Sequence, residues 1–225
     1  LMRFQSVTFD LDGTLLDTLP DLAEASNRML AELGLPLRSE EEIRRFVGQG
    51  VVVLVRRCLD HGTPPDEALL GRAVEAFKRH YAAVNGKETR IFEGVLAGLE
   101  AWRATGVPLA VLTNKPAAFT EPLLERMGLT HYFSAIVSGD STPFRKPHPD
   151  PLRHACAQMG RAVNTNLHIG DSRHDIEVAR AAGCMVYCVP YGYNEGEAVS
   201  ASDCDALVAS LESALRRAQA FGEAG

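Results

Sequence analysis

Asp10 and Asp12 stand one residue apart at the end of an apolar run, in Phe9-Asp10-Leu11-Asp12-Gly13-Thr14-Leu15-Leu16-Asp17-Thr18. Two carboxylates so placed repel each other, and in a partly dry cleft each raises the other's pKa. Three later stretches carry groups of matching chemistry: Thr113-Asn114-Lys115, Lys146 within "FRKPHPDP", and Asp171 with Asp175 in "GDSRHD". Four acids, a hydroxyl and a lysine from four segments make sense together only with a compensating charge. Lys146 offsets one carboxylate, and a divalent cation with hard oxygen ligands offsets the others. Mg²⁺ suits a set of few carboxylates, waters and a substrate phosphate. The five cysteines form no CxxC pair and no His/Cys cluster is present, so zinc is not expected.

Any one of these residues has an ordinary alternative role. An aspartate after a strand is a common turn former or helix cap, "DGT" is turn chemistry, and a lone lysine is usually solvated. Thr113-Asn114 could cap the helix that Pro116 opens, and Asp175 could favour a helix start. Their joint occurrence, each at the end of a strand, points to a site.

The elements that must position them are legible as patterns. "RFQSVTF" alternates Phe4, Val7 and Phe9, as a strand ending at Asp10 does. From about Asp21 to about Val84 the spacing is helical: Leu22 to Leu33 stopped by Gly34, a capping box at "SEEE" (39–42), a continuation through "VVVLVRRCL", and a long helix over 66–84. After "NGKETRIFEGV", strands and helices alternate. The expected strands are 107–114, "FSAIVSG", "NLHIGD" and "CMVYCVP". The expected helices are 116–128, "PDPLRHACAQMG", "DIEVARAAG" and a last one capped by Ser210. Repeated βα units predict an α/β fold, a Rossmann-like parallel sheet with helices on both faces, plus an inserted all-α cap. Ligands bind such sheets beyond the carboxyl ends of the strands, where all four clusters fall.

The chain has 225 residues, enough for one large domain or one domain with an insert. A composition 46% hydrophobic and 23% charged is that of a soluble globular protein. A net charge of −6 argues against nucleic acid or an anionic membrane as the partner. No run nears the ~20 apolar residues of a membrane-spanning helix, no secretion signal is evident, and a cytoplasmic setting is expected, with the cysteines as buried thiols.

"DLDGTLLDT", "LTNK", "RKPHPDP" and "GDSRHD" resemble, in order, the four signature motifs of the haloacid dehalogenase superfamily of phosphohydrolases. The resemblance spans nearly the whole chain. It implies a catalytic core over 1–17 and 89–225 with a helical cap over 18–88, and hydrolysis of a phosphomonoester through an aspartyl-phosphate. Asp10 would be the nucleophile. Asp12 would be the acid, then the base, holding a proton because negative neighbours raise its pKa. Thr113, the N–H groups near Asn114, and Lys146 would bind phosphate. Asp10, the Asp12 carbonyl and Asp171 would ligate Mg²⁺, with Asp175 orienting a metal-bound water from behind them. Hinges are expected near Thr18–Pro20 and Gly86–Glu93.

"TNKPAAFTEPLLERMGL", "KPHPDPL" and "YGYNEGEA" are similar to one branch of the family, which acts on a small phosphorylated acid. A substrate with a second anionic group, such as 2-phosphoglycolate, would suit one of the cap arginines Arg44, Arg45, Arg56, Arg57, Arg72 or Arg79, and the "VGQG" loop (47–50) could offer it backbone N–H groups. The expected partner is a small phosphorylated metabolite, on a monomer or homodimer. His148 and His174 are neighbours of the site rather than catalysts. Alternatives within the family are a phosphomutase of the β-phosphoglucomutase kind, a pyrophosphatase, and a phosphonate-cleaving enzyme needing a cap lysine (Lys78 or Lys87). A non-catalytic metal- or phosphate-binding regulator is the alternative of a different class.

Overall fold

The computed structural model describes residues 3–223. The chain opens with β1 (Ser6–Phe9) and β2 (Leu16–Asp17), then runs through α1 (Leu19–Glu32), α2 (Glu40–Phe46), α3 (Val51–Leu59) and α4 (Glu67–Val84). It returns through β3 (Arg90–Ile91), α5 (Val95–Ala104), β4 (Leu109–Leu112), α6 (Ala117–Arg126) and β5 (Ala135–Val137). It continues with α7 (Asp150–Gln158), β6 (Asn166–Gly170), α8 (Arg173–Ala182), β7 (Met185–Cys188), β8 (Ala206–Leu207) and α9 (Leu211–Glu223).

Six strands form one parallel sheet in the order β5-β4-β1-β6-β7-β8. β1 lies inside it, buried on both faces, and side chains alternate between two apolar layers. Val7, Phe9, Leu109, Val111, Leu167 and Ile169 pack with residues of α5, α6 and α9. Ala110, Leu112, Val137, Val186 and Cys188 pack with residues of α7 and α8. All five cysteines are buried and free. No helix among the described residues is long and apolar enough to cross a membrane.

α1 to α4 share a separate apolar cluster centred on Met29, Leu30, Ile43, Val55, Phe77 and Tyr81. Ser39 and Glu42 close a reciprocal capping box at the start of α2, and Asp66 caps α4 through the Leu69 N–H. The chain enters and leaves this helical block through β2 and β3, which pair antiparallel, Leu16 opposite Ile91 and Asp17 opposite Arg90. Buried Asp21 fastens the exit, accepting from the N–H groups of Gly86, Glu88 and Thr89 and from the Thr89 hydroxyl.

The structure adds elements the pattern reading leaves out: α5, the β2–β3 pair and β8. Gly98 interrupts the helical signal of α5, and its role is tertiary. A Cβ there would stand 2.3 Å from Leu211 Cβ, so glycine lets α5 and α9 meet. α1 starts at Leu19, two residues before the expected point, with Pro20 in its first turn where the missing N–H costs nothing. The paired strands are shorter than their apolar runs.

Candidate active site

The carboxyl ends of β1, β4 and β6 and the loop after β5 meet at one rim of the sheet. Asp10, the first residue beyond β1, donates its N–H to the Ile169 carbonyl on neighbouring β6. Lys146, carried in by the β5–α7 loop, is buried and places its ammonium 2.9 Å from Asp10 Oδ1 and 2.8 Å from Asp175 Oδ1. Its N–H and carbonyl are clamped by the Asn114 side chain, which also donates to the Gly48 carbonyl in the α2–α3 loop. Asp10, Asp171 and Asp175 each offer an oxygen within 4.8 Å of the others, and all three are buried.

The charge in this cluster is uneven. Burial, then Asp175 and Asp171, push the Asp10 carboxyl well above its usual range, against the pull of Lys146. Burial and Asp175 push Asp171 up to about 6, although the N–H groups of Tyr193 and Asn194 act the other way. Asp175 goes in the opposite direction: burial would raise it, but Lys146 and His168 hold it well below the carboxylate range. Asp10 and Asp171 are thus short of positive charge. An all-oxygen donor set with that deficit fits a hard divalent cation such as Mg²⁺.

Asp175 was expected to orient a metal-bound water, and its surroundings differ from that. Oδ1 accepts from Lys146 Nζ and His168 Nε2, and Oδ2 accepts from the N–H groups of Asp171 and Ser172 and the Ser172 hydroxyl. Five donors fill the carboxylate. It fixes Lys146 and the start of α8. Behind it runs a buried polar chain across β1 and β6. Ser6 donates to Asn166 Oδ1, Asn166 Nδ2 donates to Thr8 Oγ1, and Thr8 Oγ1 lies 2.9 Å from His168 Nδ1. Since Nε2 must donate to Asp175, a neutral His168 carries its proton there and Nδ1 accepts from the Thr8 hydroxyl.

Asp12 also differs from expectation. Its hydrogen-bond partners are a cation and a hydroxyl: Oδ1 accepts from Lys115 Nζ at 2.8 Å and from Thr18 Oγ1 at 2.6 Å. An ammonium and a hydroxyl orient it, at the point where the chain leaves for α1. Thr113, next to the Asp10 loop, accepts from the Lys115 N–H. Asp171 accepts from Thr14 Oγ1 and the Tyr193 N–H, and Gly13 is required here, since a Cβ would meet Asp171 Oδ2 at 2.5 Å.

Over these groups lies a cavity of about 50 Å³ between the helical block and the sheet. Asp10, Asp12, Thr113, Asn114 and Lys115 form its polar side; Leu22, Val47, Val51, Leu54 and Pro116 are among its apolar lining. None of the six cap arginines lines it. Arg45, Arg56 and Arg79 pair with Glu41, Glu67 and Glu32. Arg57 pairs with Glu195, which also binds Gln49 and His174, and Arg44 donates to the Gly192 carbonyl. These five arginines serve the cap surface and its contact with the β7–β8 loop; the cation among the cavity's lining residues is Lys115, in the β4–α6 loop. His148 stacks on Phe144 outside the cavity.

The motif residues Asp10, Asp171, Asp175 and Lys146 come together; Asp12, Thr113 and Asn114 stand beside them, Asn114 with its side chain already engaged. Sequence reasoning left Lys115, Tyr81 and His168 without roles. His168, a polar residue inside an otherwise apolar strand, was the one with a visible signal.

Acids and lysines gathered at the carboxyl rim of a parallel sheet, under a helical insert, fit an α/β phosphatase. The chain belongs to the haloacid dehalogenase-like hydrolases, whose family model matches residues 7–189. It is 49% identical over 215 residues to the phosphoglycolate phosphatase of Thiobacillus denitrificans, covering 95% of each chain. It is 49% identical over 220 residues to that of Nitrosospira multiformis, covering 97% of each. The crystal structure of a predicted phosphoglycolate phosphatase from Haemophilus somnus superposes with a TM-score of 0.90 at 34% identity, covering 96% of this chain and 99% of that one.

Proposed function

We propose that this phosphatase hydrolyses 2-phosphoglycolate to glycolate and phosphate, with Mg²⁺, through a phosphorylated Asp10. The observation that carries the reading is Lys146 held between Asp10 and Asp175, with Asp171 alongside, and Asp10 itself lining a small cavity. The substrate comes from the relatives' names. We divide the chain into a core over 1–17 and 89–225 and a cap over 18–88.

Asp10 Oδ1 is occupied by Lys146, which leaves Oδ2 to attack phosphorus. The new P–O bond forms as the ester P–O bond breaks, and Asp12 delivers its proton to the departing alkoxide. In the second step Asp12 takes a proton from water as that water attacks phosphorus, and the Asp10 carboxylate is released. Thr113 and the N–H groups near Asn114 hold phosphate oxygens, and Lys146 offsets their charge. Asp10, the Asp12 carbonyl and Asp171 would hold Mg²⁺, which supplies Lewis-acid polarisation of the phosphate and balances the clustered carboxylates.

The test is phosphate release from 2-phosphoglycolate with and without Mg²⁺, in the wild type and in Asp10→Asn. Release that needs the metal and falls at least ~10³-fold in the variant is expected for loss of a nucleophile. Equal turnover by Asp10→Asn would remove the mechanism, and no release from this ester would remove the substrate.

A further inference from the structure

Tyr81 on α4 is fully buried and lines the cavity, and its hydroxyl makes no well-formed hydrogen bond among the described residues, with the Lys115 ammonium standing near it. A buried hydroxyl left unpaired is a cost the fold carries, and such groups call for a missing partner. Two further donors face the same space. Lys115 Nζ stands 4.7 Å from the centre of the Tyr81 ring and spends one of its three N–H groups on Asp12. The nine-residue helix α3 begins at the cavity with Gly50, which has no side chain to cap it, and Gly50 and Val51 are both lining residues. The N–H groups of its first turn and the positive end of its dipole therefore point at the cavity. The other wall is apolar.

Resting on the proposed reaction, we propose that Tyr81 Oη, Lys115 Nζ and the first turn of α3 form one anion subsite, which grips the carboxylate of the substrate's leaving group. The three parts come from different segments: α3 and α4 lie in the helical block and Lys115 in the β4–α6 loop at the rim of the sheet. The carboxylate thus bridges the block to the core. It also lies next to Asp12, because Lys115 touches both, which puts the ester oxygen within reach of the acid. Donors of all three kinds satisfy an anion and leave a neutral group of the same size underserved, since the buried donors would then stay unpaired. The arrangement gives specificity to Tyr81 and Lys115, and not to the cap arginines.

The experiment compares kcat/KM for 2-phosphoglycolate with that for 2-hydroxyethyl phosphate, similar in size but without the carboxylate, in the wild type and Tyr81→Phe. The wild type is expected to favour the carboxylate ester. In Tyr81→Phe the ratio of the two values is expected to fall roughly tenfold to hundredfold, as loss of a hydrogen bond to an anion implies. The melting temperature of the ligand-free variant should be unchanged or higher, because the ring stays and an unpaired hydroxyl is removed. That second reading separates ligand recognition from a structural role, for which the melting temperature would fall. An unchanged ratio in the variant, or a wild type that hydrolyses both esters equally, overturns the subsite while leaving the phosphatase mechanism standing. A wild type releasing phosphate from neither ester overturns the reaction and the subsite together.

Discussion

Lys146 Nζ donates to Asp175 Oδ1 at 2.8 Å, and the two side chains are almost wholly enclosed. Among the described residues it is also the one ammonium paired with Asp10. In Lys146→Met two buried acids, Asp10 and Asp175, lose their shared cation, and we expect a loss of about 3–5 kcal/mol, the scale for breaking a buried pair. Urea denaturation measures it, and a loss below ~1 kcal/mol would show the pair to be dispensable. Phosphate release should vanish in parallel.

His168 touches no substrate, yet it donates to the same Asp175 oxygen that holds Lys146. His168→Phe removes that donor and strands the Thr8 hydroxyl, so about 1–3 kcal/mol of stability should go. Loosening of Lys146 should lower kcat by roughly tenfold with little change in KM. His168→Gln, able to present an N–H, should recover part of kcat. Equal kcat in all three proteins would confine His168 to packing.

Asp171 titrates near about 6 in the folded chain against an ordinary 3.8, raised by burial and Asp175. The folded state therefore holds that proton more tightly than the unfolded one. The metal-free protein loses stability as pH rises from about 4 to about 6, and a cation recovers it because it binds the carboxylate. Mg²⁺ affinity should fall at least about tenfold per pH unit below about 6, with at least one proton released on binding there, because Asp10 is raised alongside Asp171. Calorimetry in two buffers of different ionisation heat reports the proton, and a pH-independent affinity from 5 to 7 would contradict the cluster as the metal site.

Asp21 binds three backbone N–H groups and one hydroxyl where the chain re-enters the sheet. Asp21→Ala strands these donors next to the β2–β3 pair. We expect a loss of about 2–4 kcal/mol, with hydrogen exchange at Gly86, Glu88 and Thr89 faster by at least ~10-fold. Unchanged exchange there would mean the crossing is held by β2–β3 alone.

The acids and lysines of the rim were legible because each ends a strand or follows one, and strand order along the chain decides which ends share a side. Asp10, Lys146 and Asp171 needed only that local grammar. The four helices of the insert were equally open to reading through the "SEEE" box, the cap at Asp66 and the 3.6-residue spacing. α5 escaped because Gly98 breaks the propensity signal for a reason located 113 residues away, at Leu211.

Local pattern thus determined which groups gather at the rim and which elements carry them, since periodicity and capping are properties of neighbouring residues. What each group touches was decided in three dimensions. Asp12 meets Lys115 and not another acid, Asp175 is filled by five donors, the cap arginines stay out of the cavity lining, and a tyrosine with no well-formed hydrogen bond lines the cavity. Charge compensation and hydrogen-bond partners depend on distance through space, and chain separation carries no record of it.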